Sequence, residues 1–154
     1  MRTETVLIVY QHPRILLGKK KVRFGNGKYN GFGGGVNNGE SLEDCAIRET
    51  FEEAGIRVKN LERIGEILFQ FETSEKDHKV HFFKTNEYQG DPRESDEMKP
   101  EWFDITNIPY NNMWEDDKYW LPLLLTGKKF IGNFHFNKEL KISHYELNEV
   151  ANLN

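Results

Sequence analysis

The sequence predicts an α/β (α+β) fold, a mixed β-sheet sandwiched between helices. Three observations carry that expectation. Short runs rich in Val, Ile, Leu and Phe recur along the chain, separated by clusters of Gly, Asn and Asp. Only two segments combine helical spacing with start and stop signals. The 154 residues suit one domain, 1–154, and 37% of them are hydrophobic, with eleven Phe, six Tyr and three Trp to fill its core. No internal repeat or low-complexity linker divides the chain.

The elements follow in order. Thr5 to Tyr10 and Arg14 to Gly18 read as strands joined by a turn at His12-Pro13. A glycine-rich loop, GFGGG from Gly31, leads into a helix over Ser41 to Ala54. Ser41 stands three residues before Asp44, a variant of the N-terminal cap pattern, and Gly55 supplies the stop. Strands are expected at Ile64 to Phe71, Lys79 to Thr85, Lys99 to Asp104, Phe130 to Phe136 and Lys141 to Leu147. The second helix, Asp116 to Thr126, contains Pro122, which predicts a kink or a late start.

Composition excludes several function classes. A formal net charge of -4 gives no general attraction to a phosphate polymer, so a nucleic-acid polymer is not an expected partner. Lys19, Lys20, Lys21 and Arg23 still form a patch able to meet one nucleotide. Cys45 is the single cysteine and cannot form an internal disulfide, and the apolar run in MRTETVLIVYQ is too short for a membrane span or a signal peptide. These features predict a cytoplasmic protein with no membrane partner.

Chemistry concentrates in GFGGGVNNGESLEDCAIRETFEEAGI, Gly31 to Ile56. Glu49, Glu52 and Glu53 lie three and four apart and share one helix face, while Ala46, Thr50 and Ala54, with Ile47 and Phe51 behind them, form the stripe that packs on the sheet. Clustered carboxylates repel unless cations join them. The bland alternative is a solvated acidic face laced by Arg48, which reaches Glu52 at four residues. The loop before it shifts the balance, because hard oxygen ligands suit Mg²⁺ or Mn²⁺, which work with substrate phosphates. Gly31, Gly33, Gly34 and Gly35 allow close backbone approach and dihedrals closed to other residues.

From Gly34 the run continues through Glu40, Arg48-Glu49, Glu52-Glu53 and Gly55 at fixed intervals. This resembles the Nudix box. The resemblance implies a metal-dependent hydrolase of nucleoside diphosphates linked to another group, with Glu49, Glu52 and Glu53 as catalytic metal ligands, the Gly33 carbonyl completing the set, and Arg48 orienting them. One departure is Thr50, where the family carries an aliphatic residue. The flanks GKKKVRFGNGKYNGFGG, ESDEMKPEWFDI and NMWEDDKYWLPLLL are similar to the MutT-homologue branch, the oxidised purine nucleoside triphosphate hydrolases. That likeness spans about Thr5 to Val150. It implies that Asn30, Phe69, Trp114, Asp116 and Asp117 hold the base, that Thr5, Lys20 and Phe24 line the pocket, and that Glu97 is an outlying metal ligand. A second departure is Gly35, where relatives carry lysine.

The residues themselves support that pocket. Trp114 offers a stacking face, Asn30 a donor and an acceptor, and Asp116-Asp117 acceptors and a shared proton. Taken singly, each has a plainer use: a core Trp, a turn Asn, an aspartate helix cap. The five histidines show no ligand spacing, and Cys45 is expected to pack. The expected activity is Mg²⁺-dependent hydrolysis of oxidised purine (deoxy)nucleoside triphosphates, of the 8-oxo-dGTP and 2-oxo-dATP type, to monophosphate and pyrophosphate by a monomer. The alternatives are another Nudix substrate, such as ADP-ribose, a dinucleoside polyphosphate or an RNA cap, and a nucleotide-binding module without catalysis.

Overall fold

In a computed structural model, which describes residues 1–153, the sheet is organised around β1 (Arg2–Gln11). On one side β1 pairs in parallel with β7 (His78–Thr85). Its other edge is shared. The last residues, Val9 to Gln11, pair with β2 (Arg14–Lys20), whereas Glu4 to Leu7 pair with β4 (Phe32–Gly35), both antiparallel. Two strands on one edge must diverge, and that divergence opens a cleft beside β4.

The sheet continues from β7 to β6 (Glu62–Phe71), β10 (Lys129–Phe136) and β11 (Ile142–Val150). At the other end β2 pairs with β3 (Tyr29–Asn30) and β9 (Met98–Asp104). With β1 and β4 this makes nine strands, and β5 (Arg57–Lys59) and β8 (Glu87–Gln89) form a separate two-stranded ribbon. Parallel and antiparallel pairs mix, as expected of a sheet covered on both faces.

Helices α1 (Leu42–Ala54) and α2 (Asp117–Leu125) supply the two covers. The side-chain period of two divides β1 between them. Leu7 and Val9 join Phe32, Ala46, Ala54 and Ile56 under α1, while Ile8 joins Phe69, Phe82, Trp120, Leu124 and Phe134 under α2. A short 3-10 turn, Tyr110–Asn112, precedes α2.

Both helix ends of α1 follow from local chemistry. The Ser41 hydroxyl accepts a 3.0 Å hydrogen bond from the Asp44 amide, and Gly55 closes the helix at φ 74 with its amide on the Phe51 carbonyl. Thr50 is fully buried in the packing stripe, and its hydroxyl is satisfied by the Ala46 carbonyl at 2.7 Å. A polar group at this aliphatic position is therefore accommodated inside the helix. Pro122 does not delay α2, which begins at Asp117 and runs three residues past it.

The long strands lie where their apolar runs predict them. The four short ones, β3, β4, β5 and β8, do not show in the sequence, and β4 corrects an expectation. Its glycines form a strand and not a loop, and none of Gly31, Gly33, Gly34 or Gly35 adopts a positive φ. Glycine is needed here for proximity: a Cβ on Gly33 would fall 1.7 Å from the Thr5 carbonyl oxygen, and one on Gly34 would fall 2.7 Å from the Glu49 carboxyl carbon.

This geometry gives a measurable contrast. Gly33→Ala is expected to lower unfolding free energy in urea by about 1–3 kcal/mol through overpacking against backbone that cannot yield. Gly39 has φ 77 and nothing within 4 Å, so Gly39→Ala meets only left-handed strain and is expected to cost about 1 kcal/mol. Equal effects would remove the close approach as the reason for Gly33.

Candidate active site

The site forms where α1 lies across β4. Arg48 joins them. Its guanidinium makes two bonds to Glu40, at 2.8 and 2.9 Å, and further bonds to the Gly35 carbonyl at 3.2 Å and to Glu49 at 2.8 Å. The Glu40 carboxylate also accepts from the Asn37 amide, and the Arg48 hydrogen bonds, followed by that amide, hold its pKa down to about 2. Arg48 thus ties α1 to Glu40 and to the backbone of β4.

Glu53 is the most enclosed of the motif carboxylates. It is buried, its Oε1 accepts a 2.9 Å bond from the Gly33 amide, and among the described residues no Lys or Arg forms an ion pair with it. Burial, with Glu49 and Glu97 adding repulsion, pushes its pKa up to about 8. Burial also raises Glu49. Glu52 is more open and meets Arg48 at 3.2 Å, and Glu97 faces Arg23 at 3.4 Å. Among the described residues no three acidic, His or Cys side chains already form a metal cluster, so the three helical carboxylates do not converge as tightly as their spacing suggests. The reason is electrostatic: like charges separate, and Arg48 draws Glu49 and Glu52 to itself.

A hard cation fits this chemistry. A buried carboxylate without a cationic partner, beside two more carboxylates, is destabilised in its charged form, and an oxygen-binding divalent ion would relieve that. Cys45 does not contribute. Its thiol is buried, contacts the Thr5 hydroxyl at 3.3 Å and is pushed up in pKa by burial, so it packs as expected.

From Glu53, Gly33 and Gly34 a cavity of about 490 Å³ runs toward α2. Each residue expected to touch nucleotide lines it: Thr5, Lys20, Phe24 and Asn30 near β1 to β3, Phe69 on its floor, and Trp114, Asp116 and Asp117 at the far end. Thr5 takes part with its hydroxyl turned toward Cys45. Asn30 is tied at one amide hydrogen to the Lys28 carbonyl, 3.2 Å away. Trp114 is half-buried, with Phe24 at 5.1 Å between ring centroids and the Lys28 ammonium 5.4 Å from its ring centre.

The aspartates are not a helix cap. Asp116 occupies the N-cap position but makes no side-chain cap bond, and both carboxyl groups are buried. Trp120 donates its indole N–H to Asp116 at 2.8 Å. Burial raises both pKa values. At Asp117 the neighbouring Asp116 charge adds to burial, so the pair holds a proton between its two carboxyl groups. Trp120 was not evident as a site residue, although its spacing of four from Asp116 on a helix contained the signal.

Comparison with known proteins now bears on this arrangement. Residues 1–124 match the NUDIX domain family. The chain belongs to the NUDIX family. This NUDIX chain is 48% identical over 149 residues to an oxidized purine nucleoside triphosphate hydrolase of Danio rerio, and 47% identical to one of Mus musculus. Each match covers 97% of this chain and 96% of the relative. The fold superposes on the MutT protein of Bacillus halodurans with a TM-score of 0.86 at 29% identity, covering 96% of this chain and 98% of that one. Among the described residues of the NUDIX chain, no helix is long and apolar enough to cross a membrane.

Burial of Glu53 makes stability depend on pH. With its folded pKa above the usual carboxylate range, the group keeps its proton between about pH 5 and 8 while the unfolded chain loses it. Folding is therefore progressively disfavoured as pH rises through that window. In chelator, Glu53→Gln is expected to be more stable than the parent at pH 8, with the gap closing toward pH 5. Urea midpoints at both pH values check this, and a constant gap would show that Glu53 is not the buried acid.

Proposed function

We propose that this protein hydrolyses oxidised purine nucleoside triphosphates to monophosphates and pyrophosphate, with Mg²⁺ as its divalent ion. The observation that carries the reading is one continuous cavity with the buried Asp116–Asp117 pair at one end and the buried motif carboxyl of Glu53, with Gly33 and Gly34, at the other. The two relatives at 47–48% identity bear the name of that activity.

The base end suits an altered purine. With one proton between them, Asp116 and Asp117 can turn a donor and an acceptor toward the base, beside the Asn30 amide with one of each. Oxidation at C8 turns the purine N7 from an acceptor into a donor, so a pocket holding both kinds of group can favour the altered edge. The half-buried indole of Trp114 offers a stacking surface, and such stacking contributes about 1–3 kcal/mol per base. At the other end Lys20 meets phosphate, while Glu49, Glu52, Glu53, Glu97 and the Gly33 carbonyl would hold the ion. Held there, it would polarise phosphoryl oxygens and acidify a bound water. The Gly33 amide positions the Glu53 carboxyl, and Arg48, which now holds Glu49 and Glu52, would release them toward an incoming ion.

Turnover tests the reaction and the substrate together. Pyrophosphate release should require Mg²⁺, should be fastest with 8-oxo-dGTP or 2-oxo-dATP in a panel that includes ADP-ribose, a dinucleoside polyphosphate and a capped RNA, and should fall by about 10²-fold or more in Glu53→Gln. Parental turnover in that variant would make the glutamates structural.

The Asp pair has its own test. The Trp120 N–H on Asp116 favours charge there and the proton on Asp117, so on this reading Asp117→Asn, an amide that still donates, should retain more kcat/KM than Asp116→Asn, which removes the carboxylate. The parent should lose activity at alkaline pH as the pair gives up its proton, and Asp117→Asn should flatten that limb relative to the parent. Identical pH profiles in all three would assign the pair no part in base recognition.

A further inference from the structure

We infer that Glu4 and His78 form a sugar-recognition pair in the cavity, with His78 contacting the nucleotide's sugar hydroxyl and Glu4 positioning the imidazole; this rests on the nucleotide reading above. Nothing in the local sequence joins these residues, which lie 74 positions apart. The sheet joins them. Parallel pairing sets Arg2 opposite His78 and Glu4 opposite Val80, so Glu4 and His78 project from one face of neighbouring strands. The His78 Nδ1 and the Glu4 Oε1 are 2.7 Å apart.

That face is the floor of the cavity. Alternate residues of β1, β7, β6 and β10 build it: Val6, Val80, Phe82, Phe69, Phe71 and Phe136 are apolar, and Glu4 and His78 bring polar side chains to it. Glu4 is already held by His78 and, at 3.4 Å, by Arg2, so the group left to meet a polar ligand at the edge of this aromatic floor is the far nitrogen of His78. The position of the pair identifies which part of a nucleotide comes closest. On one side, Glu4 pairs in register with Gly35 and precedes Thr5, whose carbonyl lies against Gly33 at the phosphate end. On the other, His78 pairs with Phe69, meets Phe71 edge-on at 5.6 Å, and connects through Phe136 to Trp114 at the base end. The sugar is the part that links base to phosphates.

The chemistry agrees with the position. Glu4 accepts Nδ1–H, leaving Nε2 with no partner among the described residues. A hydroxyl can meet that nitrogen whether it accepts or donates, because a hydroxyl does both. Thr73 and Ser74 add hydroxyls to the same lining. The cavity thus has three polar groupings, Asp116 with Asp117, Lys20 with Glu53, and Glu4 with His78, matching base, phosphates and sugar.

The experiment measures kcat/KM along a sugar series, ribo, 2′-deoxy and 2′,3′-dideoxy, for 8-oxoguanine and for guanine triphosphates. The parent should lose about tenfold when the last sugar hydroxyl is removed, mainly in KM. In His78→Leu that ratio should fall to about two, while the preference for the oxidised base persists. His78→Gln, whose amide donates and accepts, should restore part of the discrimination, and Glu4→Gln should weaken it less than His78→Leu. Calorimetry with the monophosphate series gives the same ratios without turnover. A parent indifferent to the sugar hydroxyls, or His78→Leu with the parental sugar ratio, overturns the inference. A parent that prefers unmodified guanine overturns the proposed substrate instead, and the guanine series still reads His78.

Discussion

The site depends on how closely β4 lies against β1. A strand of ordinary residues could pair there only by moving outward, because the space beyond Gly33 holds the Thr5 carbonyl. With glycine, the Gly33 amide reaches Glu53 at 2.9 Å, the Glu49 carboxyl sits over Gly34, and α1 settles on the sheet through Ala46, Thr50 and Ala54. Arg48 then fastens helix to strand by joining Glu40, Glu49 and the Gly35 carbonyl. Backbone proximity comes first, and the carboxylates take their places from it.

Burial acts on carboxyl groups at both ends of the cavity, with different results. At Glu53 desolvation leaves an acid whose charged form lacks a cationic partner, which favours capture of a hard ion. At Asp116 and Asp117 the same effect stabilises one shared proton, and the Trp120 N–H fixes which oxygen remains an acceptor. One end holds a buried acid without a cationic partner among the described residues. The other holds two buried carboxyl groups side by side. The apolar floor between them keeps both effects strong, since water would screen each.

The two departures from the family pattern have local explanations of different kinds. Thr50 closes its hydroxyl onto the Ala46 carbonyl, so its methyl can fill an aliphatic place. Gly35 stands beside Arg2: a Cβ there would fall 3.0 Å from the Arg2 guanidinium, so cationic charge lies at this edge of β4 without a lysine in it.

The sequence by itself determined the long strands, both helices, the caps of α1 and the motif carboxylates. Each of these is encoded in neighbouring residues: apolar runs, Ser41 before Asp44, Gly55 after Ala54, and glutamates spaced for one helix face. It also named the residues around the cavity, through their likeness to a family. Tertiary structure decided the rest. Short strands such as β4 and β8 carry too few side chains to show a period and exist because a partner strand satisfies their backbone. The glycine run looked like flexible loop, since sequence records that Gly permits unusual dihedrals but not that a carbonyl lies 1.7 Å from its absent Cβ. Whether Asp116 caps a helix or lies buried beside Asp117 depends on Trp120 and the floor beneath it. Glu4 meets His78 only because β1 and β7 run side by side, and strand pairing across 74 residues is set by the packing of the whole sheet.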